Sequence, residues 1–366
     1  AALAQTPPMG WNSFNGYSCH IYEEVALKEL DVFIETYAPK GYTYFVIDNG
    51  WFAEHQRIEA EGYRLPLQQH ADPKEVRIDE YGIVQPSLEG FPNGFKPLVE
   101  KLHKNGLKFG VHLMRGIPQK AVSQNTRIKG TKYRARDIAN TEDNCGWCSY
   151  MHGVDMSKPG AQEYYNSVIK QFADWGVDFI KVDDVIHKPR EIEAYRKAID
   201  NCGRPMVLSL SPGNAAKVSN VEKTYTKANM FRITGDVWDK PLAFKQHFNR
   251  YKMFMKFSRP GMWADLDMTV LGEMCLLKRE VNEKVNKSTK NSTRFGGHMH
   301  HWCEFNTSQK MQFLGIRAIG SSPIMIGGSL ISMDKESRDM LLNDDFIACA
   351  QTGLPGKVVY DKNNVF

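Results

Sequence analysis

No run of ~20 consecutive apolar residues occurs in these 366 residues, which excludes a membrane-spanning helix and so membrane insertion. Positive charge is neither abundant nor clustered. The net charge is +5, and no Lys/Arg group is dense enough to track a phosphate backbone, so no nucleic-acid partner is expected. No Gly-x-Gly-x-x-Gly follows the first apolar run, which removes the main support for dinucleotide binding. Interdomain linkers and internal repeats are missing too. The one biased patch, Lys/Asn/Ser-rich around Glu283–Arg294, reads as an exposed loop. A hydrophobic content of 42% and a charged content of 24% exclude wholesale disorder.

Cysteine is sparse and odd in number, seven in all, so at least one cannot pair within the chain. Cys145-Gly146-Trp147-Cys148 has redox-motif spacing but follows the polar run Thr141-Glu142-Asp143-Asn144, without a strand before it or a helix beginning at the first Cys. A local disulfide or two free loop thiols are the readings kept. His298, His300, His301 and Cys303 lack zinc-ligand spacing, and no metal is expected. Ala2-Leu3-Ala4 before Gln5 has the small-x-small form left at a signal-peptidase site. Residues 1–6 are therefore read as a signal remnant or disordered terminus, and the protein as exported (periplasmic, cell-surface or secreted).

What the chain does contain is alternation. Eight short apolar runs, Met9–Asn15, Tyr42–Asn49, Lys108–Met114, Phe179–Val185, Met206–Ser211, Met230–Asp236, Gly261–Met268 and Ser322–Gly327, are separated by helical-period segments. Leu27, Leu30 and Ile34 form one stripe, and Ile192, Tyr195 and Ile199 another. Gly41, Gly106, Gly176 and Gly203 sit where a helix ends just before the next strand. Eight βα units predict an α/β chain folded as a (β/α)8 TIM barrel over residues 7–352. Long segments follow strands two, three and seven (52–90, 115–155 and 269–306), on the face where barrel sites are built.

Four strands end in carboxylates: Asp48, Asp183, Asp236, and Asp265 with Asp267. A carboxylate in apolar context is costly unless paired, and one alone reads equally well as a satisfied core group or helix cap. Four converging on one barrel face suit glycoside cleavage, which uses two carboxyls flanking the bond and polar groups that grip sugar hydroxyls. Period two puts Lys181 and Asp183 on one side of their strand, Val182 and Asp184 on the other, and groups Arg232, Thr234 and Asp236. Strands four and six share parity, so Asp183 and Asp236 form a plausible pair. A gap of about 5–5.5 Å would imply retention, a wider one inversion.

These motifs resemble glycoside hydrolase family 27, the α-galactosidase and α-N-acetylgalactosaminidase family of clan D. Pro7-Pro8-Met9-Gly10-Trp11-Asn12-Ser13-Phe14-Asn15 is similar to its opening strand, and Trp175 through Asp183 to its nucleophile strand. Arg232 through Asp236, Trp263 through Met268 and Ser322-Pro323-Ile324-Met325 match strands six to eight. The resemblance implies an exo-acting retaining hydrolase that removes a terminal α-linked galacto-configured sugar from an oligosaccharide, polysaccharide or glycoconjugate. Asp183 would be the nucleophile and Asp236 the acid/base. Asp48, Lys181, Arg232 and Asp267 would bind hydroxyls, Phe14, Trp51 and Met268 would form apolar walls, and no cofactor is implied.

The departures concern the sugar. Asn49 stands where the family has a second Asp, His112 where it has Tyr, Phe14 where it has Trp, and Ser211 where galactosidases often have Glu. The family's α-N-acetylgalactosaminidase and β-L-arabinopyranosidase activities therefore stay open, and so does a sugar-binding barrel without catalysis. The family's antiparallel β domain after the barrel is expected to be missing or truncated, residues 353–366 supplying only its start or a tail.

Overall fold

A computed structural model describes residues 2–54, 57–60, 63–66, 75–276 and 300–362. Eight parallel strands form one sheet: β1 (Met9–Asn12), β2 (Tyr44–Ile47), β3 (Lys108–Met114), β4 (Phe179–Asp183), β5 (Val207–Leu210), β6 (Met230–Arg232), β7 (Trp263–Asp265) and β8 (Ile324–Ile326). The order is β7-β6-β5-β4-β3-β2-β1-β8, so each strand lies beside its chain neighbour and β1 beside β8. The two edges meet just past β7, where Thr269 N donates to Met325 O at 2.8 Å and Gly327 N to Thr269 O at 3.0 Å. This is the expected (β/α)8 barrel, and each predicted strand contains one observed strand.

Helices α1 (Glu23–Val32), α2 (Lys96–Lys104), α3 (Ala161–Asp174), α4 (Pro189–Asn201), α5 (Leu242–Phe254) and α6 (Thr307–Ile319) follow strands one to four, six and seven. After β5 come three short 3-10 turns, and α7 (Lys335–Leu341) and α8 (Asp344–Ala350) follow β8. Ile192, Tyr195 and Ile199 all face the core as their spacing predicts. On α1 the stripe is rotated: Val25, Ala26, Leu30 and then Phe33 are buried, while Leu27 and Ile34 are half-buried. Gly41, Gly106, Gly176 and Gly203 all have positive φ, which ends each helical segment without a Cβ clash.

Several strands stop earlier than their apolar runs. β6 ends at Arg232 and β7 at Asp265, so Asp236 and Asp267 are carried by the loops beyond them rather than by strand pleat. The expected shared face of Arg232, Thr234 and Asp236 is therefore corrected. Thr234 is fully buried, and its carbonyl accepts from Arg232 Nε at 3.1 Å. Cys145, Cys148, Cys202, Cys275, Cys303 and Cys349 are free thiols. Cys145 and Cys148 lie buried in turns between Ala139–Asn144 and Met151–Val154, an antiparallel pair after β3. The exposed-loop reading of 283–294 and the reading of His298 fall outside the described residues.

Candidate active site

The C-terminal strand ends surround a cavity of about 240 Å³. Of the expected site residues, Phe14, Asp48, Asn49, His112, Lys181, Asp183, Ser211, Arg232, Asp236, Asp267 and Met268 all line it. Trp51 does not. It is fully buried behind the wall, where its indole donates to His112 O at 2.8 Å and it packs on Phe52, Phe95, Phe172 and Trp175. It supports β3 and offers no surface to a ligand.

On the floor, Asp48 Oδ2 accepts from Asn12 Nδ2 at 2.6 Å and from Lys181 Nζ at 2.8 Å, while Oδ1 accepts from Asn49 N at 2.8 Å. Burial opposes ionisation of Asp48, but Lys181 and His112 outweigh it and hold its pKa far below the usual carboxylate range. Asn49 is aimed by two neighbours. Tyr150 Oη donates to its Oδ1 at 3.1 Å, and Gly50 follows it with φ +102°, where a Cβ would fall 2.1 Å from Cys19 O.

Asp183 closes β4. Its Oδ2 lies 3.2 Å from His112 Nε2, and its Oδ1 accepts from Asp184 N at 2.9 Å. A carboxylate only accepts, so the Nε2 proton faces it. Lys181 and His112 are register partners on β4 and β3, which explains how both point into the cavity. Burial would raise the Asp183 pKa, but the His112 hydrogen bond and the charges of His112, Lys181 and Arg232 lower it overall.

Asp236 behaves oppositely. Its side chain is 67% exposed at the cavity mouth, and Arg232 Nη2 lies 2.9 Å from its Oδ1. Desolvation by the surrounding wall, helped by the charges of Asp267 and Asp183, raises its pKa despite Arg232. Asp267, with φ +70°, turns back so that its Oδ2 accepts from Val237 N at 2.8 Å, tying the turn after β7 to the residue beside Asp236. Behind it, Asp265 is pushed up to about 6 by burial and by Asp267.

The arrangement is two carboxyls of opposed proton affinity above a floor of charged hydrogen-bonding groups, on a barrel's C-terminal face. Comparison with known proteins decides the family. The family model described as Alpha galactosidase A matches residues 146–286. A GH27 β-L-arabinopyranosidase from Geobacillus stearothermophilus, solved in complex with arabinose, is 35% identical, with 98% of this chain and 80% of that one covered at a TM-score of 0.86. The chain belongs to glycoside hydrolase family 27. A Bacillus halodurans protein described as a candidate α-N-acetylgalactosaminidase is 33% identical, with 99% and 81% covered at a TM-score of 0.78. An α-galactosidase from Cyamopsis tetragonoloba is 25% identical over 99% of this chain and 69% of its own length.

The glycosidase cavity also holds residues that pattern reading missed. Period two turned Asp184 away, but its φ of +59° breaks the alternation and brings it to the wall. There Arg115, itself buried, grips the Asp184 carboxylate at 2.8 Å and its carbonyl at 2.7 Å, and also binds Glu191 and Asp143. Asn214, Trp147, Ile186 and Trp238 line the cavity from loops. Large apolar residues close after strand-end carboxylates were the available signal for Ile186 and Trp238, whereas Trp147 lies far along the chain from the end of β3. Of the cluster considered for metal, His300 Nε2 pairs with Glu273 at 2.5 Å and His301 Nε2 with Asp239 at 3.1 Å. No group of three or more metal-ligating side chains gathers among the described residues.

Proposed function

We propose that this glycosidase is a retaining, exo-acting enzyme that removes a terminal α-linked galacto-configured sugar, with Asp183 as nucleophile and Asp236 as acid/base. The convergence of these two carboxyls on one cavity at the barrel's C-terminal face, Asp183 held by His112 at 3.2 Å and Asp236 beside Arg232 at 2.9 Å, carries the reading. Ionised Asp183 attacks the anomeric carbon while protonated Asp236 gives its proton to the leaving oxygen. Asp236 then takes a proton from the water that cleaves the glycosyl ester, releasing the sugar with its configuration kept. Asp48, Lys181, Arg232 and Asp267 hold ring hydroxyls, and Phe14 and Met268 bound them.

A β-L-arabinopyranoside is the second reading. It shares the ring stereochemistry and lacks only C6, and it is the substrate class named for the 35% identical relative. Ser211, small and at the wall, leaves room beside the sugar for a 2-acetamido group.

Proton NMR of the first product checks the mechanism. With an α-galactoside, the α-anomer should appear before mutarotation. Asp183→Gly should be inactive in water and, with azide, yield the β-glycosyl azide. Initial release of the β-anomer by the unaltered enzyme would sink the proposal. Initial rates on p-nitrophenyl α-galactoside, α-N-acetylgalactosaminide and β-L-arabinopyranoside rank the sugars.

A further inference from the structure

β4 stops at Asp183, and the chain leaves it through a residue with left-handed backbone. Asp184 has φ +59°, a region most side chains avoid. In that conformation its N–H donates to Asp183 Oδ1 at 2.9 Å, while Asp183 Oδ2 faces His112 Nε2 at 3.2 Å. One of these two donors therefore depends on how the backbone of Asp184 is turned.

Arg115, the residue after β3, sets that turn. Its backbone N donates to Asp183 O at 3.1 Å, its Nε to Asp184 O at 2.7 Å and its Nη2 to Asp184 Oδ2 at 2.8 Å. One planar guanidinium thus grips the carbonyl and the carboxylate of the same residue, which fixes backbone and side chain together. We propose that Arg115 is a positioning residue for the nucleophile: its clamp on Asp184 aims the Asp184 N–H and so holds the Asp183 carboxylate in its attacking orientation. This rests on Asp183 being the nucleophile.

The clamp is itself held. Nη1 donates to Glu191 Oε2 at 2.7 Å and to Asp143 Oδ2 at 3.0 Å, and Nη2 also to Asp143 Oδ1 at 3.1 Å. With the two bonds to Asp184, these occupy all five N–H groups that a guanidinium carries. Glu191, on α4, accepts on Oε1 from Tyr165 Oη at 2.6 Å and from Val154 N at 3.2 Å, and Lys188 Nζ donates to Asp143 Oδ2 at 2.8 Å. The backbone of Gly153 passes so close that a Cβ there would fall 2.4 Å from Asp143 Oδ2 and 2.9 Å from Arg115 Nη1.

Stability alone does not account for this cluster, because apolar side chains of similar volume often replace buried ion pairs without loss. Its placement does. The guanidinium joins the loop after β3 and α4 to the end of the strand that carries Asp183, so both elements bear on the orientation of one carboxylate.

A double-mutant cycle on Asp183 tests the clamp. On the p-nitrophenyl glycoside that the enzyme cleaves fastest, Arg115→Lys should lower kcat about tenfold with KM within about twofold, since a donor on a charged group is misaimed while the sugar contacts stay. In Asp183→Gly, azide takes the place of the carboxylate, and Arg115 has no nucleophile to act through. Adding Arg115→Lys there should change the azide-rescued rate by less than about twofold. A loss as large in Asp183→Gly as in the unaltered enzyme would make Arg115 a general structural prop and overturn the proposal. No loss in the unaltered enzyme overturns it as well.

Asp184→Ala and Asp184→Asn carry the same cycle if Arg115→Lys does not fold. Alanine gives Nη2 nothing to hold and tolerates left-handed backbone poorly, so it should reproduce the tenfold loss. Asparagine takes that backbone region readily and its side-chain oxygen accepts from Nη2, so kcat should stay within about threefold. An asparagine variant as slow as the alanine one would mean that charge matters and placement does not, which overturns the clamp. Failure of azide to rescue Asp183→Gly removes the nucleophile assignment on which the clamp depends, a result separate from any effect of Arg115.

Discussion

His112 Nε2 lies 3.2 Å from Asp183 Oδ2, and it is the hydrogen-bond donor that most lowers the Asp183 pKa. His112→Phe should remove that donor and leave a buried carboxylate less well compensated. A hydrogen bond to a charged group is worth roughly 1.5–3 kcal/mol, so kcat/KM should fall by roughly 10- to 150-fold. The acidic limb of the pH profile should move to higher pH, because burial then counts for more in Asp183. A variant with reduced activity and an unmoved acidic limb would show that His112 acts only in binding.

The opposed shifts of Asp183 and Asp236 set the pH dependence. Activity needs Asp183 ionised, so kcat/KM rises with pH through a value below the ordinary Asp figure of about 3.9. It needs Asp236 protonated, so activity falls as pH passes a value above that figure. Arg232 lowers both groups and sits 2.9 Å from Asp236. Arg232→Gln should therefore move both limbs to higher pH, the falling limb further, by about one unit. Limbs that stay in place, measured by initial rates over the full profile, would remove Arg232 from the electrostatic account.

Tyr150 reaches the sugar pocket through Asn49. Its hydroxyl occupies the Asn49 carbonyl oxygen and leaves the amide nitrogen as the donor available to the cavity. Tyr150→Phe should free that amide to turn. One neutral hydrogen bond is worth about 0.5–1.5 kcal/mol, so KM should rise by roughly 2- to 12-fold with kcat little changed. An equal fall in kcat would instead mean that the change reaches the reacting groups.

The parts of this enzyme written in strands were legible, and the parts written in loops were not. Lys181 and Asp183 follow period two because β4 runs through both, and His112 is their neighbour by register. Alternation ends with the strand. Asp184 and Asp267 take left-handed φ values that no hydrophobic pattern encodes, and Asp236 is set by a turn whose hydrogen bonds come from Arg232 and Asp267. Trp51 was misplaced for a different reason. The family resemblance pointed to the pocket, whereas a large aromatic surrounded by four others is drawn into the core.

Arg317 gives the Asp267 turn its physical support. On α6 and fully buried, it donates from Nη2 to the carbonyls of Leu266 at 2.8 Å, Asp267 at 3.3 Å and Met268 at 3.1 Å. Its guanidinium also lies 3.7 Å over the Phe313 ring, and burial pushes its pKa down to about 9 against the pull of Asp265 and Asp267. Arg317→Met would fill similar space but leave those carbonyls without this donor, and each buried orphan costs about 1–3 kcal/mol. We expect a loss of roughly 3 kcal/mol in the free energy of unfolding, read from the urea midpoint at unchanged slope. Arg317→Lys keeps the charge but replaces the planar fork with a single point of donation, so its loss should be intermediate. Under conditions where both variants are folded, KM should rise as Asp267 relaxes from the pocket wall. A methionine variant as stable as the unaltered enzyme would mean that Arg317 does not hold the turn.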